Sequence, residues 1–394
     1  MRLFGIRYDN SQAVQVQVDA GRVVRIDAPL KDRTPRADSF AYVAPGFVDI
    51  QVNGYGGQEF SSLALTPEKV AEIVRAHFAF GVTSICPTLT TSSFPVLAHG
   101  VRTIATACRQ FPDVSRAVVG IHLEGPYISA EDGPRGAHPA EHCRAPDWDE
   151  FCRLQDAAEG RIAIVTLSPE YEGAAMFISR AVAQGILVAI GHTSADSSQI
   201  RAAVESGARL STHLGNGAHR TLRRHPNYIW DQLAEDRLAA SLIVDGHHLP
   251  PEVVKTFVRA KSPQRIVLVS DASGMAGLAP GRYTTSGCEL EILADGRLVI
   301  AGQDQLLAGA SAPIGVGVIN CLRFAELELA TAIELATANP ARLLGRECGE
   351  LRPGGRADFV LFDLDESEPS RPSLRVVATI LGGEWVFGRS PEIV

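Results

Sequence analysis

The stretch PGFVDIQVNG, residues 45–54, is the point at which the pattern of the chain changes. It contains a short apolar run, GFVDIQV (46–52), which reaches Gln51 and is followed by Asn53. Near-continuous apolar runs are typical of parallel strands that are covered by helices. The residues on either side of this stretch therefore decide the class of fold.

Seven further apolar runs follow along the chain. They are VTSICPT (82–88), AVVGIHLE (117–124), IAIVTLS (162–168), ILVAIGH (186–192), ARLSTHL (208–214), AASLIVDG (239–246) and RIVLVSDA (265–272). Helical patterns lie between most of these runs, at 66–80, 94–110, 172–184, 197–206 and 250–260. Eight β-α repeats in roughly 250 residues predict an α/β fold, a (β/α)8 TIM barrel, which we place at residues 46–349. A doubly wound sheet is the alternative, although no G-x-G-x-x-G turn opens the first helix.

Both ends of the chain differ from this pattern. Residues 1–45 and 350–394 contain short β segments separated by turns, which predict a small β-sandwich domain formed by the N- and C-terminal segments. Within the barrel region, the segment at about 281–302 predicts an inserted β-hairpin with Asp295-Gly296 as its turn. Two further helices, at about 315–325 and 329–338, are expected to lead from this hairpin back to the sheet domain.

The composition is that of an ordinary core-forming protein. The chain has 394 residues, of which 45% are hydrophobic, and its formal net charge is -8. The charge argues against a nucleic-acid-binding surface, and no run of about 18 apolar residues that could span a membrane is present. No signal peptide is evident. The cysteines form no C-x-x-C pair, which favours a reduced, cytoplasmic protein; they are Cys86, Cys108, Cys143, Cys152, Cys288, Cys321 and Cys348.

Polar residues at the ends of the apolar runs carry the candidate chemistry. The third run ends in Glu124, the fifth ends in His192, and His213 and Asp271 lie near the ends of the sixth and eighth. Because the carboxyl ends of barrel strands converge on one face, we expect these four side chains to lie together. One carboxylate and two imidazoles would give three ligands to a catalytic metal ion, with one position left open. Asp271 would then be free to carry protons.

Longer stretches surround these residues. They are APGFVDIQVNGYGG, GVTSICPTLTTS, GIHLEGPYIS, GAHP, AIGHTSA, STHLGNGA, LIVDGHHL, LVSDASGMAG, TANPARLLG and GELRPGGRADFVLFD, in this order from about residue 44 to residue 363. Together they resemble the N-acetylglucosamine-6-phosphate deacetylase family of the amidohydrolase superfamily. The resemblance implies a barrel beside a small β-sandwich, in agreement with the pattern of the apolar runs.

The resemblance also implies a reaction. It is the hydrolysis of the acetamide of an N-acetyl amino sugar, with N-acetylglucosamine 6-phosphate, giving glucosamine 6-phosphate and acetate, as the first expectation. One divalent metal ion per subunit is expected on Glu124, His192 and His213, with zinc favoured and iron, manganese or cobalt as alternatives. A water molecule bound to this ion would attack the amide, with Asp271 as general base and acid. His138 would lie near the acyl carbonyl and stabilise the oxyanion.

Substrate contacts are implied by the same motifs. His248 matches a substrate-binding histidine and has His247 beside it, whereas Asn216 and Gly217 occupy the place of two residues that contact the sugar phosphate. Arg224 matches a phosphate-binding arginine. The resemblance implies a homodimer and leaves open whether Arg224 and His248 serve their own subunit or the other one.

Three alternatives stay open at this point. The segments HLGNGAH (213–219), RRHPN (223–227) and AGASAPI (308–314) depart from the family pattern, so a related N-acyl amino sugar, galactosamine-type or unphosphorylated, is an alternative substrate. A two-metal hydrolase of the dihydroorotase type would need His-x-His where Gln51 and Asn53 stand, and a lysine at a strand end. A non-catalytic barrel scaffold is the third alternative, and the intact set of candidate ligands argues against it.

Overall fold

The computed structural model describes residues 1–28, 41–284, 289–368 and 372–388. The strands are β1 Arg2–Arg7, β2 Ala13–Asp19, β3 Arg22–Asp27, β4 Tyr42–Pro45, β5 Phe47–Val52, β6 Gly54–Tyr55, β7 Gln58–Glu59, β8 Val82–Thr90, β9 Ile121–Glu124, β10 Ile162–Leu167, β11 Leu187–Ile190, β12 Leu210–Ser211, β13 Ala239–Leu242, β14 Ile266–Leu268, β15 Gly281–Thr284, β16 Glu289–Ile292, β17 Leu298–Ile300, β18 Gln303–Leu307, β19 Phe359–Asp365, β20 Ser373–Leu381 and β21 Glu384–Gly388. The helices are α1 Pro67–Phe78, α2 Phe94–Gln110, α3 Pro112–Ala117, α4 Trp148–Ala157, α5 Ala174–Ala183, α6 Ser197–Glu205, α7 Tyr228–Ala234, α8 Pro251–Lys261, α9 Ile314–Phe324, α10 Leu329–Leu335 and α11 Ala338–Leu343.

Eight parallel strands form the central sheet, in the order β5, β8, β9, β10, β11, β12, β13 and β14. The last strand returns to the first, because the backbone N–H of Asp271 donates to the carbonyl of Gln51 at 3.0 Å and Val52 forms a parallel bridge with Ala272. The sheet is thus a nearly closed barrel. The predicted TIM barrel and all eight of its predicted strands are confirmed.

The barrel strands are apolar on both faces. In β14, Val267 packs into the cluster that fills the barrel, whereas Ile266 and Leu268 pack outward against the surrounding helices. A strand that is buried on both sides lacks the alternation of polar and apolar residues. It therefore forms a nearly continuous apolar run, which can be recognised in the sequence.

Four of the described α-helices, α1, α4, α6 and α7, begin at a residue whose side chain caps a free N–H group. The Thr66 side chain accepts a hydrogen bond from the Lys69 backbone at the start of α1, and Asp196 forms a capping box with Gln199 at the start of α6. Among the described residues, four helices were not predicted, α3, α4, α7 and α11. Of these, α3, α7 and α11 span fewer than two full turns, so their apolar periodicity is too short to recognise. No helix within the described ranges is long and apolar enough to cross a bilayer.

Strands from both termini form a separate seven-stranded sheet, in the order β21-β20-β19-β4-β1-β2-β3. Its own apolar cluster includes Leu3, Val16, Val43, Phe359 and Ile380, all nearly inaccessible to solvent. The small β domain formed from the two termini is therefore confirmed, and its strands form one continuous hydrogen-bonded sheet. The domain limits 1–45 with 350–394 stay a prediction.

The insertion after the barrel is larger than the predicted hairpin. It is a four-stranded antiparallel sheet, β15 to β18, that extends to Leu307 instead of ending at 302. Its side chains Leu290, Ile292 and Leu298 pack against Met275, which follows the last barrel strand. This contact places the inserted sheet beside the carboxyl ends of the strands. Residues 285–288 of the predicted hairpin, with Cys288, lie outside the described residues.

A buried lysine joins two of the outer helices. The Lys261 ammonium donates to the backbone carbonyls of Gln232, Glu235 and Leu238 at 2.6, 2.7 and 2.9 Å, and its side chain is inaccessible to solvent. Those carbonyls lie at and after the end of α7, where a helix leaves acceptors without partners. The lysine thus supplies the hydrogen bonds that the helix end lacks.

Replacing Lys261 with methionine should therefore destabilise the protein. The Glu235 carbonyl also accepts from the backbone N–H of Leu238, so the substitution leaves two carbonyls, those of Gln232 and Leu238, without this partner. Each such buried carbonyl costs about 1–3 kcal/mol, so the expected loss in the free energy of unfolding is at least ~2 kcal/mol. Urea unfolding followed by circular dichroism measures it. Lys255→Met, in the same helix, removes a partly exposed ion pair with Glu326 and should cost at most about 1 kcal/mol. Equal losses in the two variants would contradict the role assigned to Lys261.

Candidate active site

A cavity of about 630 Å³ opens at the carboxyl ends of the barrel strands. Glu124, His192, His213 and Asp271 all line it, as the strand-end pattern predicts. Glu124 is the last residue of β9, and the two histidines follow β11 and β12 by two residues. The barrel therefore brings together side chains that are up to 147 residues apart, from position 124 to position 271.

The three candidate ligands form a compact cluster. The Nε2 atoms of His192 and His213 lie 3.1 and 3.0 Å from the same oxygen of Glu124, and 3.0 Å from each other. This is the one group of at least three such side chains among the described residues that could hold a metal ion. Burial would raise the pKa of Glu124, but the two histidines hold it well below its usual range, so the side chain is a carboxylate.

A hydrogen bond outside the cluster sets the protonation of His192. Its Nδ1 lies 2.8 Å from the carbonyl oxygen of Pro134, which can only accept, so Nδ1 carries the hydrogen. In this tautomer the lone pair is on Nε2, the atom that faces Glu124 and His213 and that a divalent ion would bind. Metal-binding histidines are commonly fixed in this way by their second nitrogen. The donor set therefore fits a divalent ion.

Three residues of the site have unusual backbone conformations. His192, His213 and Asp271 have φ angles of 50°, 29° and 50°, in the left-handed region that residues other than glycine rarely adopt. Such conformations cost on the order of 1–3 kcal/mol each and are frequent at active sites. Here they turn the chain sharply at the ends of three strands.

The first strand supplies hydrogen-bond donors. The Gln51 amide donates to Glu124 at 2.9 Å and to Asp271 at 3.1 Å, and the Asn53 amide donates to the same Asp271 oxygen at 2.8 Å. Gln51 and Asn53 thus contact the two carboxylates of the site through N–H groups, which do not bind cations. Burial, and secondarily the charge of Glu124, raise the pKa of Asp271 to about 6.

His138 lies in the cavity wall with its ring centre 4.4 Å from that of His192. The backbone N–H of Thr91 donates to its Nδ1 at 3.3 Å, so the neutral ring carries its hydrogen on Nε2. Desolvation by the surrounding protein lowers the pKa of His138 to about 3, which keeps the ring neutral. His138 is therefore a hydrogen-bond donor in the cavity and offers no lone pair to a metal ion.

Four of the five predicted substrate-binding residues line the cavity: His247, His248, Asn216 and Gly217. The fifth, Arg224, is exposed and lies outside the cavity lining. At position 217 the backbone has a φ of +55°, and a Cβ atom would lie 2.7 Å from Nδ1 of His192, so only glycine allows this close approach.

The structure gives contacts to three residues for which the sequence motifs implied no role. The Asp245 carboxylate accepts a hydrogen bond from His248 Nδ1 at 2.7 Å and from the backbone N–H groups of His247 and His248, so it orients the imidazole. Glu59, after the first barrel strand, and Arg297, in the inserted sheet, also line the cavity. The three-residue spacing from Asp245 to His248 was a usable signal, whereas nothing local marks Glu59 or Arg297.

Comparisons with known proteins agree with this geometry. A profile of the amidohydrolase family matches residues 42–386. The N-acetylglucosamine-6-phosphate deacetylase of Homo sapiens is 38% identical, with 88% of this chain and 83% of that protein covered. The N-acetylgalactosamine-6-phosphate deacetylase of Shewanella sp. (strain ANA-3) is 31% identical, with 87% and 82% covered.

Solved structures of N-acetylglucosamine-6-phosphate deacetylases also resemble this chain over nearly its whole length. N-acetyl-D-glucosamine-6-phosphate deacetylase from Mycobacterium smegmatis superposes with a TM-score of 0.86 at 32% identity, covering 98% of this chain and all of the other. A mutant of that enzyme in complex with N-acetyl-D-glucosamine 6-phosphate gives a TM-score of 0.85, covering 98% of this chain and 99% of the other. A dihydroorotase is 15% identical with a TM-score of 0.60, over 98% of each chain, and this likeness shows the fold alone.

Proposed function

The chain belongs to the amidohydrolase family, and on that premise we propose that it hydrolyses the acetamide of N-acetylglucosamine 6-phosphate to glucosamine 6-phosphate and acetate. The convergence of Glu124, His192, His213 and Asp271 in one cavity carries the proposal. N-acetylgalactosamine 6-phosphate is the second candidate substrate, because a relative named for that activity is 31% identical over most of both chains.

For the cofactor we propose one divalent ion, zinc, on Glu124, His192 and His213. Two imidazole nitrogens and one carboxylate oxygen suit zinc, and the lone pair that Pro134 leaves on His192 supports its role as a ligand. A divalent ion held there would lower the pKa of a water molecule and polarise an amide carbonyl.

In the reaction, Asp271 is proposed to move the proton and His138 to bind the amide oxygen. The Gln51 and Asn53 amides both donate to Oδ1 of Asp271, and among the described residues Oδ2 has no hydrogen-bond partner. Oδ2 is therefore the atom that can accept a proton and return it to the departing nitrogen. The hydrogen bond from Thr91 to Nδ1 leaves the N–H of His138 on Nε2, and this group would stabilise an oxyanion.

His248, His247, Asn216 and Gly217 are proposed to hold the sugar phosphate. We also propose a homodimer in which Arg224 binds a phosphate in the cavity of the other copy; that Arg224 is exposed and lies outside the lining of its own cavity supports this. The cytoplasm is the proposed compartment, since the six cysteines within the described ranges are free thiols.

An assay of acetate release tests the function. Protein of measured metal content is incubated with N-acetylglucosamine 6-phosphate, N-acetylgalactosamine 6-phosphate and both unphosphorylated sugars. We expect about one ion per chain and the highest kcat/KM with N-acetylglucosamine 6-phosphate. If protein carrying one ion per chain releases no acetate from any of the four, the proposed function is wrong.

The rate should depend on pH through Asp271. The carboxylate must be unprotonated to accept a proton, and its pKa is raised to about 6. A cation beside Glu124 favours the charged form, so activity should be lost as pH falls through a midpoint at or below about 6. Measuring kcat/KM from pH 4.5 to 8 tests this. An acid limb centred above pH 7 would point to a different titrating group.

A further inference from the structure

The turn between β16 and β17 is the part of the inserted sheet that reaches the cavity, through Arg297. It is closed by hydrogen bonds between Leu293 and Arg297 at 2.8 Å and from Gly296 to Leu293 at 3.0 Å, and Gly296 adopts a φ of +88°. The Ser311 hydroxyl donates to the carbonyl of Gly296 from the segment that follows the inserted sheet. The turn is thus fixed at both its ends and its tip.

Arg297, the last residue of this turn, lines the same cavity as the three candidate metal ligands. No other lysine or arginine is found among the described residues that line the cavity. The other ionisable lining residues are the carboxylates Glu59, Glu124 and Asp271 and five histidines. A phosphate monoester carries a charge of about −1.5 to −2 near pH 7 and is bound well by a guanidinium. Among the described residues that line the cavity, Arg297 is therefore the permanent cation available to such a group.

The contacts of Arg297 leave part of its guanidinium available. Its Nε donates to Asp295 at 2.8 Å, and within the described ranges the two terminal nitrogens have no partner. The backbone N–H of Arg297 also donates to Asp295, and this bond, followed by the hydrogen bond and charge of the Arg297 side chain, lowers the pKa of that carboxyl, with a smaller contribution from His247. His247 lies beside the strand end that carries His248, so the turn faces the residues proposed to hold the sugar phosphate.

We propose that Arg297 binds the phosphate of the substrate from within the chain and makes the enzyme selective for phosphorylated amino sugars. The inference rests on the proposed function, because it assigns a residue to one end of that substrate. It differs from the role predicted for Arg224, which is exposed and outside the cavity of its own chain. Asp295 acts as a positioning residue that holds Nε and directs the other two nitrogens into the cavity.

The test compares Arg297→Met with a matched control, Arg282→Met. Arg282 belongs to the same inserted sheet and pairs with Glu291, but it is exposed and does not line the cavity. Arg297→Met should raise KM for N-acetylglucosamine 6-phosphate by ~10-fold or more, as expected for a lost charged hydrogen bond. Its kcat, and its KM for unphosphorylated N-acetylglucosamine, should stay close to those of the unaltered enzyme. Arg297→Lys should recover part of the loss, and Arg282→Met should change neither constant.

Inorganic phosphate separates a failure of this proposal from a failure of the proposed function. Calorimetric titration of the metal-loaded protein with phosphate needs no turnover, and Arg297→Met should weaken the binding by ~10-fold or more whereas Arg282→Met should not. If the protein binds phosphate in this way but releases no acetate, the function is wrong and the phosphate site stands. The proposal would be overturned if Arg297→Met left the KM for N-acetylglucosamine 6-phosphate unchanged, or raised the KM for both sugars equally. It would also be overturned if Arg297→Met bound phosphate as tightly as the unaltered protein.

Discussion

Replacing Asp271 with asparagine should lower kcat by about 10²–10⁴-fold, the range that a general base contributes. Asparagine has the same shape and can still accept the hydrogen bond from Asn53, which reaches Asp271 at 2.8 Å. It cannot take up a proton at Oδ2. Because Asp271 is not one of the three proposed ligands, the metal content of the variant, measured by elemental analysis, should equal that of the unaltered protein.

Asp49→Asn is the matched control for this substitution. Asp49 is a second buried aspartate, on the first barrel strand, and its Oδ1 accepts from the Ser270 backbone, but it does not line the cavity. Burial raises the pKa of Asp49 to about 7, so a neutral amide resembles the acid that it replaces. The control should keep kcat close to normal. If Asp271→Asn loses its metal, Asp271 is a ligand. If it keeps a tenth of the activity, another group moves the proton.

The barrel could be predicted because its strands are buried on both sides. Segments such as GFVDIQV and RIVLVSDA are apolar almost throughout, and this signal depends on no distant contact. The strand-end residues followed from the same fact, since the carboxyl ends of parallel strands meet. Four side chains of the site were therefore placed together correctly from the sequence.

The chemical state of the site could not be predicted in the same way. The N–H on Nε2 of His138 depends on a backbone donor at Thr91, 47 residues earlier in the chain, and the lone pair of His192 depends on a carbonyl at Pro134. The left-handed backbone at His192, His213 and Asp271 arises where strands turn at the barrel rim, and no glycine marks it in the sequence.

The inserted sheet shows a second limit. The turn at Asp295-Gly296 could be predicted from these two residues alone. Its position beside the cavity could not, because that position depends on how Leu290 and Leu298 pack on Met275. Nothing in the sequence pattern singles out Arg297, whereas tertiary packing places it in the cavity lining. Arg224 was the opposite case, since its motif predicted a site residue and the fold of a single chain leaves it exposed.

Replacing Glu124 with glutamine should remove the metal ion and the activity together. The substitution keeps the volume of a side chain that is 2% exposed, but it takes away the negative charge that faces both histidines. Altering a residue that merely supports a ligand costs about 10–100-fold in metal affinity, so loss of a charged ligand should cost ~100-fold or more. After dialysis the variant should contain little metal by elemental analysis, and its melting temperature should no longer rise on adding zinc.

His138→Ala distinguishes a ligand from its neighbour. The His138 ring centre lies 4.4 Å from that of His192, yet its Nε2 carries a hydrogen and has no lone pair for an ion. This variant should keep the metal and the zinc-dependent rise in melting temperature while kcat falls by about 10²–10³-fold, as for a lost oxyanion donor. Metal loss in His138→Ala would make His138 a ligand. Full metal content in Glu124→Gln would mean that the cluster of Glu124, His192 and His213 is not where the ion binds, and the mechanism proposed for Asp271 would fall with it.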